Sequence, residues 1–445
     1  MTNEIILVVM LVIFLGLAFT GTPIAFALIG AVLFATAFSD VGFAAVVGQL
    51  FNGVNSVPLL ALPFFILVAE LMNSAEVTDK IIRFVQSLVG HIRSSLAQVD
   101  ALFSILFAGI SGSSTADVAA NAKVLLPAMR REGYDMGQAA ALIAASSTIA
   151  NMIPPSILAV VYGASGGVSI AALFLGGAVP GFMIGFGMML YAYFFVHGGK
   201  PSPRASLGEI AGAAKGSALP LMIPFIIMGG ILSGAFTPTE AGMVAVVFVI
   251  IVIMPITARK HLPNLPKDFI NAAVIYSLPL IAVAAASAFA WLFTILGGAA
   301  VVSDVVIGIA GENAVGILFT VVLMMVILGQ FIDAIPAIIV FMPIITAVVE
   351  AGDINPIHMG VVVIVTLALG LITPPYGLSL LLATYFAKVP FSAGVRKSVP
   401  LYGLFAGVIV LLVLVPDLSL GLPRFFVPEA AGCFPDPRGG GYICP

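Results

Sequence analysis

The chain has 445 residues, of which 61% are hydrophobic and only 8% are charged, with a formal net charge of −3. A soluble domain of ordinary composition carries about a quarter charged residues, so this is an all-α polytopic membrane protein, with no room for a soluble domain of ordinary size. Among the motifs there is no P-loop, no nucleophile–base arrangement and no Cys/His cluster, which gives no support to an ATP-driven pump, an enzyme or a nucleic-acid partner.

Apolar runs predict spans at about 4–20, 22–38, 57–75, 137–163, 168–196, 218–235, 240–258, 277–298, 357–385 and 400–416. The first run has Glu4 but no preceding cation, and the next begins within a few residues, so a cleaved signal peptide is not expected. Two further stretches, about 99–128 and 314–349, cannot cross once without misplacing cations. They read as re-entrant helical hairpins. The cations fall mainly in five groups, around residues 80–93, 123–131, 200–215, 259–267 and 388–397. Placing all five in the cytoplasm puts both termini outside.

In chain order, the reading gives N-terminal scaffold helices over 1–75 and an amphipathic cytoplasmic-surface helix over 76–98. Repeat one covers 99–165, with its hairpin at 99–128 and a broken helix at 137–163. Scaffold and connecting helices fill 166–298. Repeat two covers 299–385, with its hairpin at 314–349 and a broken helix at 357–385. A last scaffold helix at 386–416 precedes an external tail, 417–445, in which Cys433 and Cys444 can form a disulfide on the oxidising side.

The two repeats show one order of signals. Ser111-Gly-Ser-Ser-Thr115 and Asp117 precede Pro127 and then Pro154-Pro155, while Gly329 and Asp333 precede Pro343 and then Pro374-Pro375. Cations flank the first hairpin and acids the second, which marks inverted-topology repeats with two discontinuous helices, an architecture of secondary transporters. Proline lacks an N–H, so each pair breaks its helix and frees carbonyls for a cation, while tip hydroxyls and N–H groups suit a carboxylate. The bland alternative for the hydroxyls is bonding back to their own helix. Asp117 and Asp333 occupy equivalent places and read either as caps of the half-helix after each tip or as cation ligands. Glu240 reads as a capping element at a helix start where Thr237 or Thr239 can cap, and Glu70 as snorkelling or paired. His91, His197, His261 and His358 read as interfacial, and Trp291 as packing.

At residues 62–72, 109–114, 125–135, 153–157, 236–242 and 370–377 the chain resembles the large membrane subunit of the TRAP (tripartite ATP-independent periplasmic) transporters, a likeness covering about residues 1–416. The resemblance implies a sodium-coupled importer of an organic acid that works by an elevator movement. Its implied partners are a separate small four-helix membrane subunit and a periplasmic substrate-binding protein, with sodium ions for coupling and no organic cofactor. It places one sodium site at Ala108, Ser111, Ala150, Ile153 and Pro154, and another at Gly329, Gly370, Thr373 and Tyr376. Ala150-Asn151 stands where the family more often has Gly-Pro, and Ala108 where Ser is expected. The substrate is then expected between the tips and breaks, at Ser113, Ser114, Thr115, Thr148, Asn151, Pro155 and Pro375. Competing readings are a sodium-coupled elevator carrier that works without a binding protein, and a passive anion channel. Dicarboxylates, sugar acids and sialic acid all stay open as substrates.

Overall fold

A computed structural model describes residues 2–75, 77–311, 313–435 and 442–443. Among them the chain is helical, apart from a two-residue antiparallel pairing of Phe434–Pro435 with Tyr442–Ile443. Six helices are long and apolar enough to cross a membrane, or eight if each of two bent pairs counts as one span. The expected pairing of Cys433 with Cys444 lies outside the described residues.

The N-terminal part comprises α1 (Asn3–Phe19), α2 (Ile24–Phe38), α3 (Phe43–Val54) and α4 (Ala61–Ser74), followed by α5 (Val77–Val89). Helix α1 is apolar all round, so tertiary contact rather than amphipathicity selects its inner face. Ile6, Met10 and Phe14 are buried, while Ile5, Val8 and Val12 are exposed in positions suited to lipid. Helix α3 was not expected. Its segment is interrupted by Gly48, Asn52 and Gly53 and is too short to register as a span, yet it packs along a long later helix and bends by 54° into the following segment. Helix α5 buries Val77, Ile81, Val85 and Val89, the one-face pattern anticipated for a surface helix.

Repeat one consists of α6 (Ser95–Ser111), α7 (Ser114–Arg131), α8 (Met136–Ser147) and α9 (Ile157–Gly166), with a short 3₁₀ turn at Thr148–Asn151. Next come α10 (Ile170–Phe195), α11 (Leu207–Leu232), α12 (Pro238–Phe248), a π turn (Val249–Ile253), α13 (Met254–Thr257), α14 (Leu265–Ile295) and α15 (Gly298–Ala310). Helices α11 and α14 begin well before the apolar runs that announced them. The start of α11 is fixed by a capping box, Ser206 with Glu209, and that of α12 by the anticipated pair Thr237 and Glu240.

Repeat two consists of α16 (Ala314–Gly329), α17 (Ala334–Ala351), α18 (Pro356–Gly370) and α19 (Leu378–Ala387), and the chain continues through α20 (Phe391–Leu414) and α21 (Asp417–Phe426). The segments expected as hairpins are the helix–turn–helix pairs α6–α7 and α16–α17, and those expected as broken helices are α8–α9 and α18–α19. Each repeat lends its last half-helix to the other: α9 packs on α17 and α18, and α19 packs on α7 and α8. Outside this core, α14 contacts α2, α3, α4 and α17, while α10 contacts α6, α18, α20 and α21.

One histidine differs from expectation. His358 is not interfacial but only 3% exposed, because α21 folds back onto α10 and α18 and brings Ser419 Oγ to 2.6 Å from His358 Nδ1. His261 pairs with Asp268 at 2.9 Å, and Asp268 also accepts from Ser74. Glu70 is paired as anticipated, accepting from Asn271. Where α8 begins, Asp135 caps Gln138 N–H and meets Lys397 Nζ at 2.9 Å. The hydrogen bond from Lys397 holds the Asp135 carboxyl below the usual carboxylate range.

Candidate functional site

In the first hairpin α6 stops because Gly112 turns left-handed at φ 60°, a conformation that costs a glycine little. Its N–H returns to Ala108 O at 3.3 Å, which closes the helix on the residue expected as a ligand. Ser113 is extended and precedes α7 without a side-chain cap bond; its hydroxyl instead lies 3.1 Å from Thr115 Oγ1. Ser111 is fully buried and its Oγ has no hydrogen-bond partner. Ser114 is buried beside it in sequence.

The break in the second helix meets this tip. After the turn that contains Thr148 and Ala150, Ile153 N–H bonds Ile149 O, and the Pro154–Pro155 bond is cis. Ser156 then starts α9, accepting from Ala159 N–H and donating to Asn151 O. Tip and break are joined by Ile157 N–H donating to Gly112 O at 3.2 Å. They are so close that a Cβ on Gly112 would stand 2.3 Å from Pro155 O. Among the described residues nothing donates a hydrogen bond to the carbonyls of Ile153, Pro154 or Pro155. These are strong acceptors without partners, which a cation can use. Thr148 is directed elsewhere: its hydroxyl donates to Ala145 O at 2.7 Å, and no hydrogen bond links it to the tip. The amide nitrogen of Asn151 is buried without a partner, a donor suited to an anion.

Repeat two builds the same junction from other residues. Gly329 ends α16, and a Cβ on Gly370 would lie 2.8 Å from Gly329 O, so the two expected ligands touch through their backbones. Tyr376 N–H donates to Gln330 O at 3.0 Å, the counterpart of the Ile157–Gly112 bond. The Pro374–Pro375 bond is cis, and among the described residues nothing donates to the carbonyls of Thr373, Pro374 or Pro375. Thr373 Oγ1 donates to Leu369 O at 2.7 Å, which leaves its lone pairs available. Ser379 Oγ is buried and unpartnered. Helix α18 packs on the 148–151 turn, so the second repeat abuts the first break.

The two aspartates are not equivalent. Asp333 is the N-cap of α17 and accepts from Ala334 N–H at 2.9 Å, whereas Asp117 lies one turn inside α7, fully buried, with neither carboxylate oxygen bonded. The Pro127–Pro343 alignment that equated them ignores where the helices start. Sequence reasoning also missed Asp100, Ser104 and Asn121, which are buried together with Ser146. Their four-residue spacings, Asp100 to Ser104 and Asp117 to Asn121, were the available signal.

A cavity of about 430 Å³ lies elsewhere, between α3, α14, α9 and α17. Asn52, Ser165, Ser287, Trp291 and Thr346 help to line it, and no expected site residue does. It has no charged lining side chain.

The family described as "Tripartite ATP-independent periplasmic transporter, DctM component" matches residues 11–418. The chain is 35% identical to the sialic acid TRAP transporter large permease protein of Vibrio cholerae serotype O1, over 93% of this chain and 97% of that protein. It is 36% identical to the 2,3-diketo-L-gulonate TRAP transporter large permease protein of Escherichia coli, over 90% and 95% respectively. To the C4-dicarboxylate TRAP transporter large permease protein of Pseudomonas aeruginosa it is 33% identical, over 85% and 88%.

Proposed function

The chain belongs to the DctM component family of the tripartite ATP-independent periplasmic transporters, and from that premise we propose that it is the large permease subunit of a sodium-coupled importer of an organic acid. It is a multi-span membrane protein, placed by this reading in a bacterial inner membrane with both termini periplasmic. Its partners in this reading are a small membrane subunit and a periplasmic binding protein that delivers the substrate. The relatives handle sialic acid, a diketo sugar acid and C4-dicarboxylates, all carboxylates, and the substrate here is of that class.

The observation that carries the coupling is the matched docking of tip on break, through Ile157 N–H to Gly112 O in one repeat and Tyr376 N–H to Gln330 O in the other. At each junction a run of carbonyls without donors faces a glycine-built tip. Sodium at Ala108, Ser111, Ala150, Ile153 and Pro154, and at Gly329, Gly370, Thr373 and Tyr376, draws each tip onto its break. The ordered tips then present the Ser113, Ser114 and Thr115 hydroxyls, the Asn151 amide and helix N-termini to the carboxylate. Substrate affinity therefore follows the ion. In this reading the hairpins and broken helices move as one body against the α10–α15 and N-terminal helices, carrying substrate across as an elevator.

The test is uptake into proteoliposomes that contain the chain and its small subunit, driven by the binding protein with labelled substrate. Uptake collapses when external sodium is replaced by choline; undiminished uptake in choline rejects the coupling.

A further inference from the structure

Between the arms of the first hairpin lies a polar layer used by neither the tip nor the break. Asp100 and Ser104 are one turn apart on α6, and Asp117 and Asn121 are one turn apart on α7, so each pair shares a helix face. The faces meet where Asn121 Nδ2 donates to Asp100 Oδ1 at 3.1 Å and to Ser104 Oγ at 3.0 Å. From α8, Ser146 Oγ donates to Asp100 Oδ2 at 2.9 Å. All five side chains have 0% exposure.

The donors are spent on Asp100 and Ser104. Asp117 Oδ1, Asp117 Oδ2 and Asn121 Oδ1 are three buried acceptor oxygens with no hydrogen-bond partner. The amide cannot relieve this by flipping, because its oxygen would then face the Asp100 carboxylate. Among the described residues no Lys, Arg or His is ion-paired with either aspartate. A carboxylate enclosed at membrane depth needs a compensating positive charge. A proton on one Asp117 oxygen, even if donated to Asn121 Oδ1, would leave the other carboxylate oxygen without a partner, whereas a hard metal cation gathers several oxygens at once. Both Asp100 oxygens already accept hydrogen bonds, so the oxygens left open to an ion are those of Asp117 and Asn121. We infer that Asp117 and the Asn121 side-chain oxygen hold a sodium-sized monovalent cation between α6 and α7, a site separate from the carbonyl junctions at the tips. It lies one turn below Ser113, so its occupancy stiffens the hairpin directly beneath the tip.

The test is equilibrium binding of radioactive sodium chloride to the purified full chain, with choline chloride holding ionic strength constant. Asp117→Asn binds one sodium ion fewer per chain than wild type, and Asn121→Ala keeps the stoichiometry with roughly tenfold weaker affinity at that site. Calcium chloride at equal concentration does not displace the ion. Equal stoichiometry in wild type and Asp117→Asn, or displacement by calcium, overturns the inference. If Asp117→Asn does not yield folded protein, unchanged affinity in Asn121→Ala overturns it instead. The readout is binding rather than transport, so loss of one ion in Asp117→Asn upholds this site even where uptake proves independent of sodium.

Discussion

Between α6 and α7 lie two carboxylates, an amide and a hydroxyl, all buried, while α16 and α17 are apolar except for Thr320, Thr346 and, exposed in the last turn, Glu350. Both threonine hydroxyls bond back to their own helices, to Gly316 O and Met342 O. The acid of the second hairpin has moved to the start of α17, where it caps the helix and meets the positive end of its dipole. Yet both hairpins dock on their breaks through one backbone bond and a glycine contact. The two hairpins are alike at the junction and differ in their interiors. Residues at the junctions should thus matter in both copies, and interior residues in the first alone.

The largest effect is expected at the first junction. Gly112→Ala adds a left-handed backbone penalty to a Cβ placed 2.3 Å from Pro155 O, together about 3 kcal/mol, or roughly a hundredfold loss of the docked state. Gly370→Ala meets Gly329 O at 2.8 Å without the backbone penalty and costs about 2 kcal/mol. Gly48→Ala, with nothing within 4 Å, is silent. Initial uptake rates rank the three, and an active Gly112→Ala would break the idea of a shared junction. Next comes the interior. Asp100→Ala removes an acceptor from both Asn121 and Ser146, leaving them Ser104 Oγ and Ile143 O alone, and costs roughly 2 kcal/mol, against about 0.6 kcal/mol for Thr320→Val in the other hairpin. Thermal unfolding of the two variants tests that asymmetry, and equal shifts would remove it.

A smaller change is expected for Thr373→Val, which keeps the volume but removes a hydroxyl, raising half-saturating sodium about tenfold, equivalent to ~1.4 kcal/mol. An unchanged sodium titration means that this junction uses carbonyls alone. Smallest is the surface pair. The folded pKa of Asp135 is lowered chiefly by Lys397, so the pair's stabilisation is present above the unfolded carboxylate value of about 3.9 and fades as pH falls through the folded one. Both side chains are about half exposed, at 46% and 48%, which limits the contribution to under ~1 kcal/mol. Asp135→Asn retains the cap, so its difference in melting temperature from wild type should shrink to nothing in acid.

The junctions were legible because proline pairs and clustered Gly and Ser are unusual inside apolar sequence, and their physical meaning is local. What depended on distant partners was not legible. His358 looked interfacial until α21 covered it, and α3 was too short and too interrupted by Gly and Asn to register as a span. The polar starts of α11 and α14 lowered the apolar signal, although Ser206 with Glu209 announced one of them. Asp117 was misread because it was aligned by a proline rather than by its helix start. Asp100 and Asn121 were signalled only by their four-residue spacings from Ser104 and Asp117, and their meaning came from the facing of two helices.

The exchange of half-helices between the repeats also bears on biogenesis. Helices α7 and α8 leave the ribosome long before α19, the element that covers them, and α9 waits in the same way for α17 and α18. Neither repeat can complete its packing until synthesis has passed Ala387. The first half must therefore persist in the bilayer with an uncovered flank that lipid or an insertion factor shields, and the two halves lock together in a single late step.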